Sequence, residues 1–379
     1  MRLVVKKTEF LTALQHVAKA VPSRTTKPIL YGILLSAAQD ALVVTAYDLE
    51  LGIEYTIVNA QGESDVLDVQ SEGGTVLQAR YLIDIVRKLP SELVRIDVHE
   101  LIATISSGSA TYTINGSDPR EFPPLPQVYD ERGLAMTAST LRELIDQTAY
   151  AIATVDSRPI LTGVHCQHSD MNFTMTATDS YRLATATAAI ETASDHALVN
   201  SVVPGKALRE IARLLPEDQS IVDLSVKDNQ LVIRAGAFRV YSRLLEGAYP
   251  DLSRIIPSTH KTMITIDSQD LLECIERAAL LARDVENHIV NIHLRPTHIE
   301  ITSKSPEIGR VMDSVEPATH QGEDLQLACN ARYLMDALRA IAGAPVRILF
   351  TGSGSPFVIR PQDGDRFLHL ILPVRVVGS

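Results

Sequence analysis

The densest group of residues able to hold a metal ion is His165, Cys166 and His168. Histidine nitrogen and cysteine sulfur are common zinc ligands, but a closed site needs four ligands, and no second short-spaced pair accompanies these three. Neighbouring side chains on a β-strand point to opposite faces, so His165 and Cys166 would not face the same ion. We therefore interpret the segment as a half-exposed strand, and the sequence predicts no metal site.

Sequence motifs that bind nucleotides or present a nucleophile are also missing. No G-x-x-x-x-G-K-[ST] segment is present to hold a triphosphate, and the segment 352–356 (GSGSP) lacks the G-x-S-x-G register of a nucleophile elbow. Cys274 and Cys329 belong to no Cys-x-x-Cys pair and are predicted to be packing residues. We expect no cofactor, and an enzyme such as a nucleotide hydrolase is the least favoured interpretation.

Length and composition indicate a folded protein of several domains. The chain has 379 residues, of which 45% are hydrophobic and 21% are charged, whereas a single core stops growing near roughly 250–300 residues. The sequence contains no apolar run of the ~18 residues that a membrane span needs. The start MRLVVKKTEF has no apolar segment typical of a secretory signal. Three scattered cysteines fit a reducing compartment, so we expect a cytoplasmic protein without a membrane partner.

Short segments recur in the same order along the chain. The segment 27–32 (KPILYG) returns at 158–163 (RPILTG), and 79–84 (ARYLID) returns at 331–336 (ARYLMD), with a weaker copy from Gly205. Several ordered matches at similar offsets are hard to obtain by chance, and their period is far too long for a solenoid. The sequence therefore predicts three tandem domains, with limits 1–125, 126–259 and 260–379.

Each predicted domain has the same order of elements. A strand is followed by a helix, which we expect over 9–21 in the first domain and after Asp267 or Ser268 in the third. A second helix is predicted to start near Ala79, Gly205 and Ala331, and strands follow both helices. Two helices with about eight strands, three times over, predict an α+β fold.

The charge is unevenly distributed. The formal net charge of -11 argues against nucleic-acid binding, yet the second helices at 80–89 and 206–215 each carry a net charge of +2. A basic surface within an acidic chain would attract a polyanion locally. Charge alone also permits, and slightly favours, solvent-exposed helix faces without a ligand. The candidate DNA-contacting residues on these helices are Arg80, Arg87, Lys88, Lys206, Arg209 and Arg213.

The repeats and several motifs together resemble the beta subunit of bacterial DNA polymerase III, the beta sliding clamp family, over the whole chain. The motifs are RPILTG at 158–163, ATDSYRLA at 177–184, YPDLSRIIP at 249–257, NARYL at 330–334 and LPVRV at 372–376. The resemblance implies a non-catalytic processivity factor in which two copies form a head-to-tail ring. In that ring the helices line the hole and the sheets lie outside. The ring would hold double-stranded DNA by encirclement, without recognising its sequence. Such a ring needs only a modestly basic surface around its hole. The expected location is the bacterial cytoplasm at the nucleoid.

The resemblance also implies individual site residues. Arg24 and Arg158 match DNA-contacting positions. A pocket between domains 2 and 3 would bind peptides of the polymerase III alpha subunit, the clamp loader and repair proteins. The matching pocket positions are Leu161, Thr178, Ser180, Tyr181, Arg182, Leu183, Pro250, Arg254, Ile255, Asn330, Tyr333, Pro356, Leu370, Leu372, Pro373, Val374 and Arg375. The homodimer contact would involve Tyr112, Ile114, Leu280 and Leu281.

The sequence departs from the family pattern at several of these positions. Pro159 and Ile160 stand where well-studied members have aromatic residues beside the DNA, Ser180 and Tyr181 replace a glycine–histidine pair, and Val374 replaces a methionine. The changes beside Arg158 leave open a duplicated scaffold that binds peptides without encircling DNA. For the apolar pocket positions, ordinary core packing is the alternative interpretation, and for the two leucines it is the interior of a helix.

Overall fold

The computed structural model describes residues 1–59, 66–126, 133–155, 157–169, 171–190, 200–282, 288–341 and 343–374. The predicted α+β fold with three repeats is confirmed. The helices are α1 (Lys7–Val17), α2 (Ala79–Lys88), α3 (Ala138–Thr148), α4 (Gly205–Leu214), α5 (Ser268–Ala279) and α6 (Ala331–Ile341).

The strands follow the repeats. The first repeat contributes β1 (Arg2–Lys6), β2 (Gly32–Ala38), β3 (Ala41–Tyr47), β4 (Leu51–Val58), β5 (Leu67–Ser71), β6 (Gly73–Gln78), β7 (Leu93–His99), β8 (Ile102–Ser107) and β9 (Ala110–Asn115). The second contributes β10 (Leu134–Thr137), β11 (Gly163–Ser169), β12 (Asn172–Thr178), β13 (Arg182–Ala189), β14 (Ser201–Pro204), β15 (Ile221–Lys227), β16 (Gln230–Ala235) and β17 (Phe238–Arg243). The third contributes β18 (Thr262–Asp267), β19 (Ile289–Leu294), β20 (Ile299–Ser305), β21 (Gly309–Val315), β22 (Thr319–Gly322), β23 (Leu325–Asn330), β24 (Pro345–Phe350), β25 (Phe357–Pro361) and β26 (Phe367–Ile371).

The helix boundaries follow local chemistry. The second helices begin at the predicted residues Ala79, Gly205 and Ala331. Asp267 caps α5 as expected, because its carboxylate accepts hydrogen bonds from the backbone N–H groups of residues 269 and 270. The first helix is shorter than the predicted 9–21, since α1 ends at Val17 and a 3-10 turn follows. Val21 is extended, with ψ 122°, because a residue that precedes proline avoids the helical region.

The sheets combine strands from consecutive repeats. An eight-stranded sheet has the order β10-β15-β16-β17-β4-β3-β2-β6, and a nine-stranded sheet has the order β14-β11-β12-β13-β26-β25-β24-β18-β22. The two remaining sheets, β5-β1-β7-β8-β9 and β21-β20-β19-β23, draw on one repeat each. The second repeat is therefore divided between the two mixed sheets.

The described residues form two compact units. One contains those within 1–139 and 213–244, and the other contains those within 140–190, 200–212 and 245–374. The second predicted domain contributes to both units, because β15–β17 extend the eight-stranded sheet and β11–β14 extend the nine-stranded one. The limits 1–125, 126–259 and 260–379 stay a prediction.

Buried aliphatic and aromatic side chains fill the interior of each unit. In the first, Leu30, Val76 and Phe122 form one cluster. In the second, four buried residues of β13, β25 and β26 form another, with partly buried Leu252 and Ile256 packed against it. This second cluster is continuous with the strands that hold the candidate peptide site.

Candidate functional site

The basic residues of the second helices lie on their solvent-exposed faces. On α2, Ala79, Leu82 and Val86 are buried, and the intervening positions are exposed or partly buried. On α4, the buried residues Ala207, Leu208, Ile211 and Leu214 likewise share one side of the helix. All six predicted basic side chains are exposed: Arg80, Arg87, Lys88, Lys206, Arg209 and Arg213. They are therefore accessible to a polyanion.

Arg24 and Arg158 lie in turns outside the helices, and both are exposed. Arg158 precedes the 3-10 turn Pro159–Thr162, and its carbonyl accepts a hydrogen bond from the backbone N–H of Leu161 at 3.0 Å. This short turn connects Arg158 directly to Leu161, which is buried.

A cavity of about 170 Å³ opens in the second unit. Leu161 and Leu370 are buried in its wall, and Ile255 and Leu372 are partly exposed at its rim. A cavity near 150 Å³ with apolar walls accepts a molecule the size of benzene. The full wall consists of Arg158, Leu161, Thr178, Ser180, Arg182, Pro250, Leu252, Ile255, Leu370 and Leu372. Its size and mainly apolar wall suit one large apolar side chain.

The loop that joins β12 to β13 is fixed by side-chain hydrogen bonds. The Asp179 carboxylate accepts hydrogen bonds from the N–H groups of Tyr181 and Arg182, both at 3.0 Å. The Thr178 hydroxyl donates to the Arg182 carbonyl at 2.6 Å and accepts from the Ser180 N–H at 3.1 Å. Ser180 has φ +79°, a left-handed conformation that glycine adopts without strain.

Arg182 is buried at the centre of an ionic and aromatic cluster. Its Nε donates to Asp179 at 3.0 Å, its Nη1 to Asp336 at 2.7 Å and its Nη2 to the Tyr150 carbonyl at 2.9 Å. Its guanidinium carbon lies 4.6 Å from the centre of the Tyr333 ring and 5.2 Å from that of Tyr150. Two carboxylates and two rings thus hold a side chain that also forms part of the cavity wall.

Tyr150 and His369 form a buried pair behind this cluster. The Tyr150 hydroxyl lies 2.6 Å from His369 Nδ1, and His369 is fully buried. Burial lowers the pKa of His369 to about 3 and raises the pKa of the Tyr150 hydroxyl. Both groups are therefore neutral at physiological pH.

Only part of the predicted pocket lines the cavity. Leu183 belongs to the adjacent buried cluster, the Tyr181 ring stacks on Tyr333 with centroids 6.3 Å apart, and Asn330 caps α6 by accepting from the Arg332 N–H at 2.9 Å. Arg375 lies outside the described residues. The remaining predicted positions outside the wall are Arg254, Pro356, Pro373 and Val374.

The structure adds residues that sequence reasoning missed. Leu252 lies in the wall, and Arg158, which was predicted to contact DNA, lies there as well. Asp336 and Tyr150 hold Arg182 in place. Asp336 occupies the same position in its repeat as Asp84, which the sequence shows. The sequence gives no sign that Asp336 pairs with Arg182, 154 residues away.

The predicted dimer residues lie at or near open sheet edges. Tyr112 is 39% exposed on β9, and Ile114 on the same strand is partly buried. Leu280 and Leu281 directly follow α5, and Leu280 is 54% exposed, so it is not in a helix interior. Within the described part of the chain, β9 and β21 each have a strand on one side only.

The candidate metal segment has an ordinary structural role. His165 Nε2 lies 2.6 Å from the Asn200 side-chain oxygen, its ring stacks on Tyr249, and Cys166 is buried. Among the described residues, no group of three or more His, Cys, Asp or Glu side chains is arranged to hold a metal ion. None of the helices in the described residues is long and apolar enough to cross a membrane.

Family comparisons cover all three repeats. The domain descriptions of the DNA polymerase III beta subunit match in order, with the N-terminal domain at 1–126, the central domain at 135–251 and the C-terminal domain at 253–375. The chain belongs to the DNA polymerase III beta subunit family. It is thus an accessory subunit and not the catalytic subunit of the polymerase.

Individual sliding clamps agree in sequence and in structure. The beta sliding clamp of Bacillus subtilis is 38% identical over 377 residues, which cover 99% of this chain and 100% of that protein. The Staphylococcus aureus clamp is 35% identical and covers 99% of each chain. The crystal structure of the Bacillus subtilis clamp matches with a TM-score of 0.96 over 100% of both chains. A Pseudomonas aeruginosa clamp bound to griselimycin matches with a TM-score of 0.91 at 27% identity, covering 99% of this chain and 100% of that one.

Proposed function

We propose that this clamp subunit joins a second copy head to tail to form a ring around duplex DNA, and that its cavity tethers peptides of replication proteins. One observation carries the proposal. At two places in the chain the last strand of one repeat pairs with the outer strand of the preceding repeat, and the two strands that would make a third such junction are both free.

The two strand junctions within the chain indicate which partner each free strand would pair with. In the eight-stranded sheet, β4 of the first repeat pairs with β17, the last strand of the second. In the nine-stranded sheet, β13 of the second repeat pairs with β26, the last strand of the third. In the third repeat, the strand equivalent to β4 and β13 is β21. In the first repeat, the strand equivalent to β17 and β26 is β9, and within the described residues both strands lack a partner of this kind. A free edge tends to pair with another strand, and pairing β21 of one copy with β9 of the next makes a head-to-tail contact.

The existing junctions also give the register of the new one. Leu51 immediately precedes Gly52, the first β4 residue that pairs with β3, and lies opposite Ser242, the fifth residue of β17. The equivalent of Leu51 is Ile308, which precedes the first paired residue of β21, and the fifth residue of β9 is Ile114. We therefore expect Ile308 of one copy opposite Ile114 of the next, which buries two apolar side chains together.

The proposed DNA contact is electrostatic and weak. Exposed arginine and lysine side chains on α2 and α4, together with Arg24, would line the hole of the ring. Phosphate contacts position a protein on DNA without reading sequence, and a ring that holds DNA by topology needs no stronger contact. The acidic remainder of the chain would keep other surfaces from binding DNA.

The proposed tether is the cavity of the second unit. An apolar anchor residue of an extended peptide would enter between Leu161, Leu370 and Ile255, while the fixed loop at Thr178–Arg182 offers polar groups to the peptide backbone. The expected partners are the polymerase III alpha subunit and clamp-loader subunits, in the cytoplasm at the nucleoid.

Retention on DNA tests encirclement directly. The protein is loaded on a closed circular plasmid with a clamp loader, and the bound fraction is measured by gel filtration before and after a single cut. Encirclement predicts retention on the circle and loss after linearisation, because a threaded ring slides off an end. Equal retention on both forms would contradict encirclement. Peptide binding without retention on the circle would support the peptide-binding scaffold instead.

A further inference from the structure

We infer that Tyr81 of one copy packs against Leu280 and Ile308 of the next copy, forming an apolar contact that stabilises the ring. The inference rests on the proposed head-to-tail assembly. All three side chains are among the most exposed large apolar groups in the described residues: Tyr81 is 59%, Leu280 54% and Ile308 59% exposed. Exposed apolar side chains that come together in one patch are typical of a protein interaction site.

The junction between the second and third repeats contains a three-residue cluster. The Arg182 guanidinium lies over the rings of both Tyr333 and Tyr150. Tyr333 belongs to the second helix of the third repeat, whereas Tyr150 and Arg182 belong to the second repeat. The cluster therefore lies where one repeat meets the next.

Each member of this cluster has an equivalent at the junction that would form between copies. Tyr81 is the third residue of α2, as Tyr333 is of α6. Leu280 lies twelve residues after the first residue of α5, as Tyr150 does after the first residue of α3.

The third equivalence is set by strand pairing. Ile308 immediately precedes Gly309, the first paired residue of β21, and Arg182 immediately precedes Leu183, which ends the ladder of β12 with β13. The three equivalents come from three separate elements, yet each is exposed and apolar. A second copy of this chain is the one partner that would bring them together at equivalent positions.

The contact between copies differs chemically from the contact within the chain. Ile308 stands at the position equivalent to Arg182, so Asp84, the equivalent of Asp336, would have no arginine partner from that position, and its described partner is Arg87 on its own helix at 3.2 Å. Burial of apolar surface then stabilises this part of the contact. Salt screens exposed charges but has little effect on apolar contacts. We therefore expect ring closure to depend weakly on salt.

The dimer dissociation constant of the full-length protein tests the inference. Sedimentation equilibrium is measured for the wild type, Tyr81→Ser, Ile308→Ser and the double variant. We expect each single variant to weaken the dimer at least tenfold, and the double variant to weaken it by less than the product of the two, because the residues share one contact. Tyr81→Phe keeps the ring and should dimerise like the wild type.

Matched controls separate this contact from general surface effects. Val58→Ser and Met171→Ser each remove a side chain that is 53% exposed elsewhere, and they should leave the constant unchanged. Thermal unfolding of each variant verifies folding. Raising salt from 0.05 M to 0.5 M should change the wild-type constant less than about threefold.

The outcomes distinguish this inference from the proposed ring. A wild type that remains monomeric at micromolar concentration contradicts the ring itself. If the wild type is dimeric and both serine variants dimerise equally well, the ring stands and the apolar contact is wrong. A steep loss of the wild-type dimer with salt would likewise overturn the apolar contact, because it would show that charged pairs dominate there.

Discussion

Arg182 donates a hydrogen bond from Nη1 to the Asp336 carboxylate at 2.7 Å, although the two residues are 154 positions apart in the sequence. Arg182 lines the candidate peptide cavity, whereas Asp336 does not. Asp336 thus acts on the cavity through Arg182, as a positioning residue. The pair is also an ionic contact between the second and third repeats within the second unit.

Asp336→Asn is expected to destabilise the second unit by about 1–3 kcal/mol, because a largely buried guanidinium loses one of its two carboxylate partners. Chemical denaturation measures this change. Asp365→Asn is the matched control, since Asp365 also lies 2.7 Å from an arginine but is 68% exposed. Exposed pairs contribute about 0–1 kcal/mol. Equal effects of the two variants would contradict a structural role for the buried pair.

His369 should make the protein sensitive to mild acid. Its pKa is lowered from 6.5 to about 3 by burial, so between these values the unfolded chain binds a proton that the folded chain does not. Stability is therefore complete above pH 6.5 and falls as the pH decreases toward 3, by up to about 1.4 kcal/mol per pH unit. Denaturation between pH 7 and pH 4.5 measures the slope.

His369→Gln keeps a polar partner for Tyr150 but takes up no proton, so its stability should vary less with pH over this range. His260→Gln, a change at an exposed histidine, should retain the wild-type slope. A wild-type slope that survives in His369→Gln would show that other groups cause the acid sensitivity.

Ile255→Ser should weaken peptide binding about tenfold, because Ile255 forms part of the cavity rim and is 43% exposed. Fluorescence anisotropy with a labelled peptide that ends in two large apolar residues measures the affinity. Leu101→Ser, at a side chain that is 49% exposed outside the cavity, should bind normally. Normal affinity of Ile255→Ser would place the peptide elsewhere.

Arg80→Ala together with Arg209→Ala should leave retention on closed circular DNA unchanged, because the ring is held there by topology, but should reduce the salt dependence of electrostatic DNA binding by roughly one counterion per residue. Arg95→Ala removes an exposed arginine from a strand of the five-stranded sheet and serves as the control. Equal salt dependence of the double variant and the wild type would exclude α2 and α4 from the DNA contact.

A cysteine pair tests the strand register between copies. Ile114→Cys with Ile308→Cys should form disulfides between two chains on oxidation, because directly opposed residues of antiparallel strands have Cβ atoms about 4.5–5.5 Å apart. Denaturing gel electrophoresis without reductant should show a covalent dimer. The three natural cysteines are buried. Each single-cysteine variant is a control, and a monomer band for the double variant would contradict the proposed register.

The sequence was sufficient to predict the elements that follow from local chemistry. The second helices start at Ala79 and Ala331 because the repeated segment carries the same apolar spacing, and Asp267 caps α5 because its carboxylate reaches the free N–H groups. The charge count also located basic residues on the second helices, and these side chains are exposed on α2 and α4. These features depend only on residues near one another in the chain.

The sequence did not predict the features that depend on distant residues. Alternating apolar residues in β4 and β17 show that each is a strand, but not that Tyr55 lies opposite Phe238. The pair between Arg182 and Asp336, and the presence of Arg158 and Leu252 in the cavity wall, could not be predicted for the same reason. Each depends on segments that only the folded chain brings together.

The mixed sheets have a consequence for how the protein can be divided. An isolated second repeat would lose the neighbours of both β13 and β17, leaving two long bare edges and half of each sheet. Excision of the second repeat at its predicted limits would thus yield an aggregation-prone fragment instead of an independent domain. The sequence repeats therefore do not coincide with the units that fold independently. A fragment that folds on its own must contain more than the second repeat alone.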